Sequence, residues 1–177
     1  MAGAIPAPVE NESFSLMTWS QILHLLPVVP ALSLAASDFR HRSIPIGWLI
    51  AFGSCVLSTS MLLLPVRTVL YNVLTNILLL CWLFGGVWVY LRLRYRRQAN
   101  LFRQYIGSGD VWFALLLTPL FALPAYIVLL LSGFASGLFY WTAVRIVFRK
   151  ETTIPLVTFL SLSLTVCLSY RFYLSLP

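Results

Sequence analysis

Two aspartates stand apart from the other acidic residues of this chain. Asp38 and Asp110 are the only aspartates among 177 residues, and each lies at the end of a long apolar segment. A carboxylate at membrane depth is costly, and such residues usually mark functional sites. Two carboxyl groups held close together share a proton, so that one serves as base and the other as acid. The pair therefore predicts acid–base chemistry, for example the activation of water for peptide hydrolysis.

The residues around each aspartate fit this chemistry. Gly107 and Gly109 precede Asp110, and glycine allows either positive φ or a close approach of the backbone to a substrate strand. We predict that Asp110 lies at the start of a helix, where the helix dipole favours the ionised form. Asp38 is predicted at a helix end, where the dipole favours the protonated form. The hypothesis is that Asp110 is the base and Asp38 the acid.

Each aspartate also has a purely structural explanation. Asp110 could cap the N-terminus of its helix. Asp38 could pair with Arg40 or Arg42 at the membrane surface. For either residue alone the structural explanation is the stronger one. Their placement on one side of the membrane, together with the scarcity of other acids, favours a shared catalytic role.

The composition is that of a membrane protein. The chain is 60% hydrophobic and 10% charged, whereas soluble domains carry about 25% charged residues. We predict a polar N-terminal tail over residues 1–15 and one membrane domain over residues 16–177. The tail contains two glutamates and no lysine or arginine. A cleavable signal peptide has the opposite charge pattern, so we expect the first span to be retained.

Charge and cysteine content argue against two other classes of protein. The net charge is +7, but the basic residues cluster at the ends of apolar segments, where membrane orientation explains them. They form no basic face with interleaved aromatic residues, so no nucleic-acid partner is expected. Cys55, Cys81 and Cys167 are isolated and form no CxxC pair. Neither a metal site nor another cofactor is predicted.

Apolar stretches long enough to cross a bilayer, which takes about 20 residues, recur along the chain. They cover Leu16–Ala36, Ile46–Leu64, Thr68–Leu91, Val111–Val144 and Ile154–Tyr170. The fourth stretch is long enough for one helix or two. It contains Pro119 and Pro124, and proline tends to end or kink a helix. We therefore predict two helices, divided near Leu120–Pro124.

The distribution of basic residues supports six helices. One side of the membrane would then hold Arg40, Arg42, Arg92, Arg94, Arg96, Arg97, Arg103, Arg145, Arg149 and Lys150. The other side would hold Arg67 and Arg171. This division is ten against two, whereas five helices would give eight against four. The positive-inside rule therefore favours an all-α bundle of six transmembrane helices with both termini outside. Both aspartates fall at the cytoplasmic ends of their helices, although the count did not use them.

Three motifs in this chain resemble those of the type IV prepilin peptidases. The segment from Asp38 through Arg40 to Ile44 and Pro45 is similar to their D-x-R-x-x-x-I-P stretch. Residues 107–110 read Gly-Ser-Gly-Asp and resemble the GxGD motif that opens the fourth core helix. Residues 154–160, which include Pro155, look like the late I-P-x-x-P-x-L stretch. The motifs occur in the family's order and span roughly residues 20–170.

The resemblance implies a membrane aspartic endopeptidase in the prokaryotic cytoplasmic membrane. If the catalytic roles of the family hold for the matching residues here, Asp38 and Asp110 activate the attacking water, and no metal is needed. The implied partner is a prepilin-like membrane protein, whose leader peptide is removed at the cytoplasmic face. Ten basic residues on that side would repel a basic leader. An acidic or neutral leader, or screening by anionic headgroups, would remove this conflict, and the residues do not choose between them.

The chain departs from the family pattern in three respects. Ile46 stands where asparagine usually follows the Ile-Pro, and Thr158 stands where a second proline is usual. The cytoplasmic four-cysteine zinc domain of the long members is lacking, so the resemblance implies the short, protease-only form. A second interpretation is a catalytically inactive assembly or transport subunit that kept the architecture.

Overall fold

The computed structural model describes residues 23, 25–41, 44–95, 107–148 and 155–174. These residues form six α-helices and no strand. The helices are α1 (Val28–His41), α2 (Ile46–Leu63), α3 (Val66–Tyr95), α4 (Ser108–Leu116), α5 (Leu123–Phe148) and α6 (Leu156–Leu174). By length and composition, α2, α3 and α5 can each cross a membrane. The fold is therefore all-helical, with transmembrane character in its longest helices.

The predicted division of the long apolar stretch is confirmed. Helix α4 ends at Leu116, a turn follows over residues 117–120, and α5 begins at Leu123. Pro119 lies in the turn, and Pro124 is the second residue of α5. Proline is tolerated in the first helical turn because the backbone N–H that it lacks would have no partner there.

Helix α1 differs from its predicted bounds. It continues to His41, five residues beyond the predicted end at Ala36, and Asp38 is therefore a helical residue. The polar tail and the beginning of the first predicted span lie outside the described residues. Helix α3 is longer than predicted at both ends, at Val66 and at Tyr95.

Helices α1 and α5 both pack on α6. The side of α6 that faces the core carries Val157, Leu160, Leu164 and Leu168, all almost completely buried. On α5, Gly133 makes close approach possible, since a Cβ there would lie 3.0 Å from Leu160 Cγ. On the other side of the core, the rings of Phe52 in α2 and Phe113 in α4 stack at 4.7 Å.

Contacts at the two ends of α6 establish the direction of the helices. Thr158, in the first turn of α6, hydrogen-bonds Asp38 of α1, and we call this end of the bundle the aspartate end. The guanidinium of Arg171, near the other end of α6, lies 5.0 Å from the ring of Phe121. Phe121 follows α4, so α4 runs from the aspartate end to the opposite end, and α5 returns.

Asn76 of α3 stabilises the turn between α4 and α5. The Asn76 side-chain amide donates to the carbonyl oxygens of Thr118 (2.9 Å) and Phe121 (2.8 Å), and the side chain is fully buried. The hydroxyl of Tyr126 in α5 donates to the carbonyl oxygen of Ala114 at 2.8 Å. Unpaired carbonyl groups are costly in an apolar environment, so these donors stabilise the short helix.

Replacing Asn76 with alanine is expected to lower the free energy of unfolding by about 1–3 kcal/mol, because two buried carbonyl groups lose their donor. The change is measured by denaturant unfolding in detergent. Thr75→Ala is the control, since the Thr75 hydroxyl bonds only to carbonyl groups of its own helix. Equal stability of the two variants would contradict the stabilising role of the Asn76 hydrogen bonds.

Candidate functional site

The first turn of α6 contacts Asp38. This aspartate is 8% exposed, and it lies on the side of α1 that packs on α6. The backbone N–H of Thr158 donates to Asp38 Oδ2 at 3.2 Å, and Thr158 Oγ1 lies 3.1 Å from the same oxygen. Thr158 Oγ1 is also 3.1 Å from the carbonyl oxygen of Ala35, one turn earlier in α1. One residue of α6 thus contacts α1 at two points.

Asp110 reaches the same turn of α6 from α4. Its carboxylate faces the backbone N–H groups of Val157 and Gly107, which favour its negative charge. The alternative structural explanation, in which Asp110 caps the helix N-terminus, does not hold. Gly107 is the N-cap, in an extended conformation, and Asp110 is the third residue of α4. Its side chain folds back onto the N-cap N–H, as the third helical residue of a capping box does.

The two carboxylates therefore converge on adjacent backbone N–H groups. Val157 and Thr158 belong to the first turn of α6, where N–H groups lack partners within the helix and the dipole is positive. The sequence predicts opposite positions for the two residues, with Asp110 at the start of a helix and Asp38 at the end of one. Because both carboxylates also lie at the positive end of α6, their surroundings differ less than this prediction implies. The assignment of base and acid stays a prediction.

The two glycines before Asp110 provide space. At Gly109, a Cβ would lie 3.0 Å from Cγ1 and 3.3 Å from Cβ of Ile44, whose side chain occupies that position. At Gly107, a Cβ would lie 2.8 Å from Asp110 Oδ2. The φ of Gly107 is −63°, so close approach, and not positive φ, accounts for this glycine. The Ile-Pro and Gly-x-Gly-Asp segments meet through the contact of Ile44 with Gly109.

The structure describes three of the four remaining predicted site residues. Pro45 is the N-cap of α2, and Pro155 directly precedes α6. Arg40, in the last turn of α1, is exposed. Arg42 lies outside the described residues. Sequence reasoning missed Thr158 as a contact of Asp38, although it singled out this threonine as a departure from the family pattern.

Fold and site together define an all-helical protein, with helices able to cross a membrane, that gathers two carboxylates at the start of its last helix. Comparison of the chain with family models, with curated proteins and with solved structures finds no match.

Proposed function

We propose that this chain is a membrane-bound aspartic endopeptidase that removes leader peptides from type IV prepilin-like precursors at the cytoplasmic membrane face. The convergence of Asp38 and Asp110, far apart in sequence, on adjacent N–H groups of α6 carries this proposal. The packing of Ile44 against Gly109 adds support, because it joins two of the motifs that resemble this peptidase family.

In the proposed reaction, one carboxylate takes a proton from a water molecule while the water oxygen attacks the scissile carbonyl carbon. The other aspartate, in its acid form, donates a proton to the carbonyl oxygen. The tetrahedral intermediate then collapses, the C–N bond breaks, and a proton passes to the leaving amine. The products are a free leader carboxylate and a new N-terminus on the mature protein.

The proposal includes a bundle of six spans in a prokaryotic cytoplasmic membrane, with the aspartate end at the cytoplasm. The alternating helix directions support it. Among the described basic residues, those at the aspartate end are Arg40, Arg92, Arg94 and Arg145, and those at the opposite end are Arg67 and Arg171. Cytoplasmic loops carry the excess of positive charge in membrane proteins.

Paired tryptophans and arginines support a membrane boundary at the aspartate end. Arg92 lies 5.0 Å from the ring of Trp88 in α3, and Arg145 lies 4.9 Å from that of Trp141 in α5. These tryptophans are roughly 33 Å and 27 Å along their helices from the opposite end. The hydrocarbon core is about 30 Å thick, and tryptophan is enriched at its edges.

Cysteine labelling tests the orientation. In a chain with Cys55, Cys81 and Cys167 replaced by alanine, single cysteines are placed at Arg92 and at Arg67. We expect a membrane-impermeant maleimide to label position 67 in intact cells and position 92 only after the membrane is opened. Labelling of both positions in intact cells would contradict the six-span topology.

A second function has one observation in its favour. Asp38 and Asp110 supply acceptors to N–H groups of α6 that have no partner within the helix, which is a structural role. A catalytically inactive subunit for assembly or transport would keep the pair for this reason alone.

Cleavage of co-encoded precursors in membranes discriminates the two functions. Membranes containing the chain are incubated with each candidate precursor, and the new N-terminus is identified by mass spectrometry. A double variant, Asp38→Asn with Asp110→Asn, serves as the control. We expect cleavage by the wild-type chain only. Absence of cleavage for every co-encoded precursor, with normal assembly in the double variant, favours the second function.

A further inference from the structure

Thr158 is placed to control how Asp38 presents its two carboxyl oxygens. Both polar groups of Thr158, the backbone N–H and the hydroxyl, approach Oδ2 of Asp38, at 3.2 Å and 3.1 Å. The backbone N–H belongs to the first turn of α6 and has no rotational freedom. This donor therefore restrains Oδ2 from one direction, and by itself it leaves the carboxyl group free to turn about that hydrogen bond.

The hydroxyl adds a second constraint on the same oxygen. A threonine hydroxyl has one proton to donate and two lone pairs that accept. Oγ1 lies 3.1 Å from both Asp38 Oδ2 and the carbonyl oxygen of Ala35, and neither a carboxylate nor a carbonyl oxygen can donate to it. The proton therefore points either to Asp38 or to Ala35, and ionised Asp38 offers the stronger, charge-assisted bond.

We propose that Thr158 is a positioning residue that keeps Oδ2 of Asp38 as a hydrogen-bond acceptor and leaves Oδ1 to exchange the proton with the reacting groups. An oxygen that already accepts from an N–H and a hydroxyl is a poor site for an added proton. The proton that Asp38 takes or gives therefore resides on Oδ1. This inference rests on the proposed endopeptidase function. It goes beyond the pattern of the family that the chain resembles, because the proline usual at this position there has neither donor.

Two substitutions separate the hydroxyl from the shape of the side chain. Thr158→Val keeps the branched shape and the backbone N–H but removes the hydroxyl. Thr158→Ser keeps both donors. We expect Thr158→Val to lower kcat by about 10- to 100-fold, with KM changed by no more than about 2-fold. Thr158→Ser is expected to stay close to the wild-type kcat. A residue that merely packs α1 on α6 would not be rescued by serine in this way.

Thr165 provides a matched control on the same helix. Its hydroxyl donates to the carbonyl oxygen of Ser161 within α6, at 2.8 Å. Thr165→Val removes a hydroxyl from α6 without touching Asp38, and we expect it to leave kcat unchanged. A loss of kcat in Thr165→Val equal to that in Thr158→Val would overturn the positioning role.

Carboxyl NMR tests the contact without reference to cleavage. The chain has only two aspartates, so labelling with carboxyl-¹³C aspartate gives two side-chain signals, which Asp38→Asn assigns. We expect Thr158→Val to shift the Asp38 signal more than the Asp110 signal, and Thr165→Val to shift neither. An unshifted Asp38 signal in Thr158→Val would overturn the inference.

The outcomes distinguish this inference from the proposed function. Wild-type kcat in Thr158→Val, with Asp38→Asn inactive, overturns the positioning role and leaves the endopeptidase standing. Cleavage that persists in Asp38→Asn overturns the endopeptidase itself. Should Thr158→Val be poorly folded in its thermal melt, the serine variant decides, since a kcat reduced tenfold or more in Thr158→Ser contradicts the role of the hydroxyl.

Discussion

Replacing either Asp38 or Asp110 with asparagine is expected to reduce precursor cleavage by roughly a thousandfold or more. A positioned acid or base contributes about 10²- to 10⁴-fold to a proton-transfer reaction. Asparagine has nearly the size of aspartate and retains one acceptor oxygen, but it neither takes nor gives a proton at neutral pH. Cleavage is followed in membranes by the change in precursor size and by the mass of the new N-terminus.

The double variant should be no less active than the more damaged single variant. Residues that act as one unit have strongly non-additive effects, because loss of either member disables the proton transfers of both. Two independent losses would instead multiply. The comparison of single and double variants therefore tests whether the two carboxylates, which meet at Val157 and Thr158, operate as a pair.

Stability measurements separate catalysis from structure in these variants. The side-chain oxygen of asparagine can still accept from the backbone N–H of Thr158 or Val157, so we expect thermal melts close to that of the wild-type chain. Ser33→Ala is the control on α1, since the Ser33 hydroxyl bonds only to the carbonyl oxygen of Val29 in the same helix. Normal precursor processing by both aspartate variants would contradict the proposed endopeptidase function and favour an assembly or transport subunit.

The second large effect is expected from Gly109→Ala. The added methyl group would lie 3.0 Å from Cγ1 and 3.3 Å from Cβ of Ile44, so rotation of the Ile44 side chain alone does not make room. Either the segment before α2 or the start of α4 must move, and Asp110 is the next residue of α4. We expect cleavage to fall by about 10- to 100-fold and stability to fall by about 1–3 kcal/mol.

A compensating change and a matched glycine complete this test. Ile44→Ala removes the side-chain atoms beyond Cβ that the new methyl group would meet, so the double variant should recover much of the activity that Gly109→Ala loses. Gly86→Ala, in α3, is the control, because nothing lies within 4 Å of a Cβ at that position. Full activity in Gly109→Ala would show that the contact does not place Asp110.

Elementary rules predict much of the fold. The apolar runs predict the long helices, because a bilayer span requires about 20 apolar residues in a helix that pairs its own backbone groups. Pro119 and Pro124 predict the break between α4 and α5, since proline cannot continue a helical hydrogen-bond ladder. The apolar runs and the prolines are local properties of the chain, and the required length of a span is a property of the lipid bilayer.

The sequence by itself also singled out the two aspartates, through their rarity and their placement at the ends of apolar segments. It did not predict which groups contact them. Whether Thr158 faces Asp38, or Ile44 meets Gly109, depends on how α1, α2 and α4 are rotated and shifted along their axes relative to α6 and to each other. The apolar surfaces of these helices allow several such arrangements. Lipid tails are as apolar as a neighbouring helix, so the hydrophobic effect does not favour one arrangement over another. Only the packed tertiary structure selects one, and with it the N–H groups of Val157 and Thr158 as the place where the two carboxylates meet.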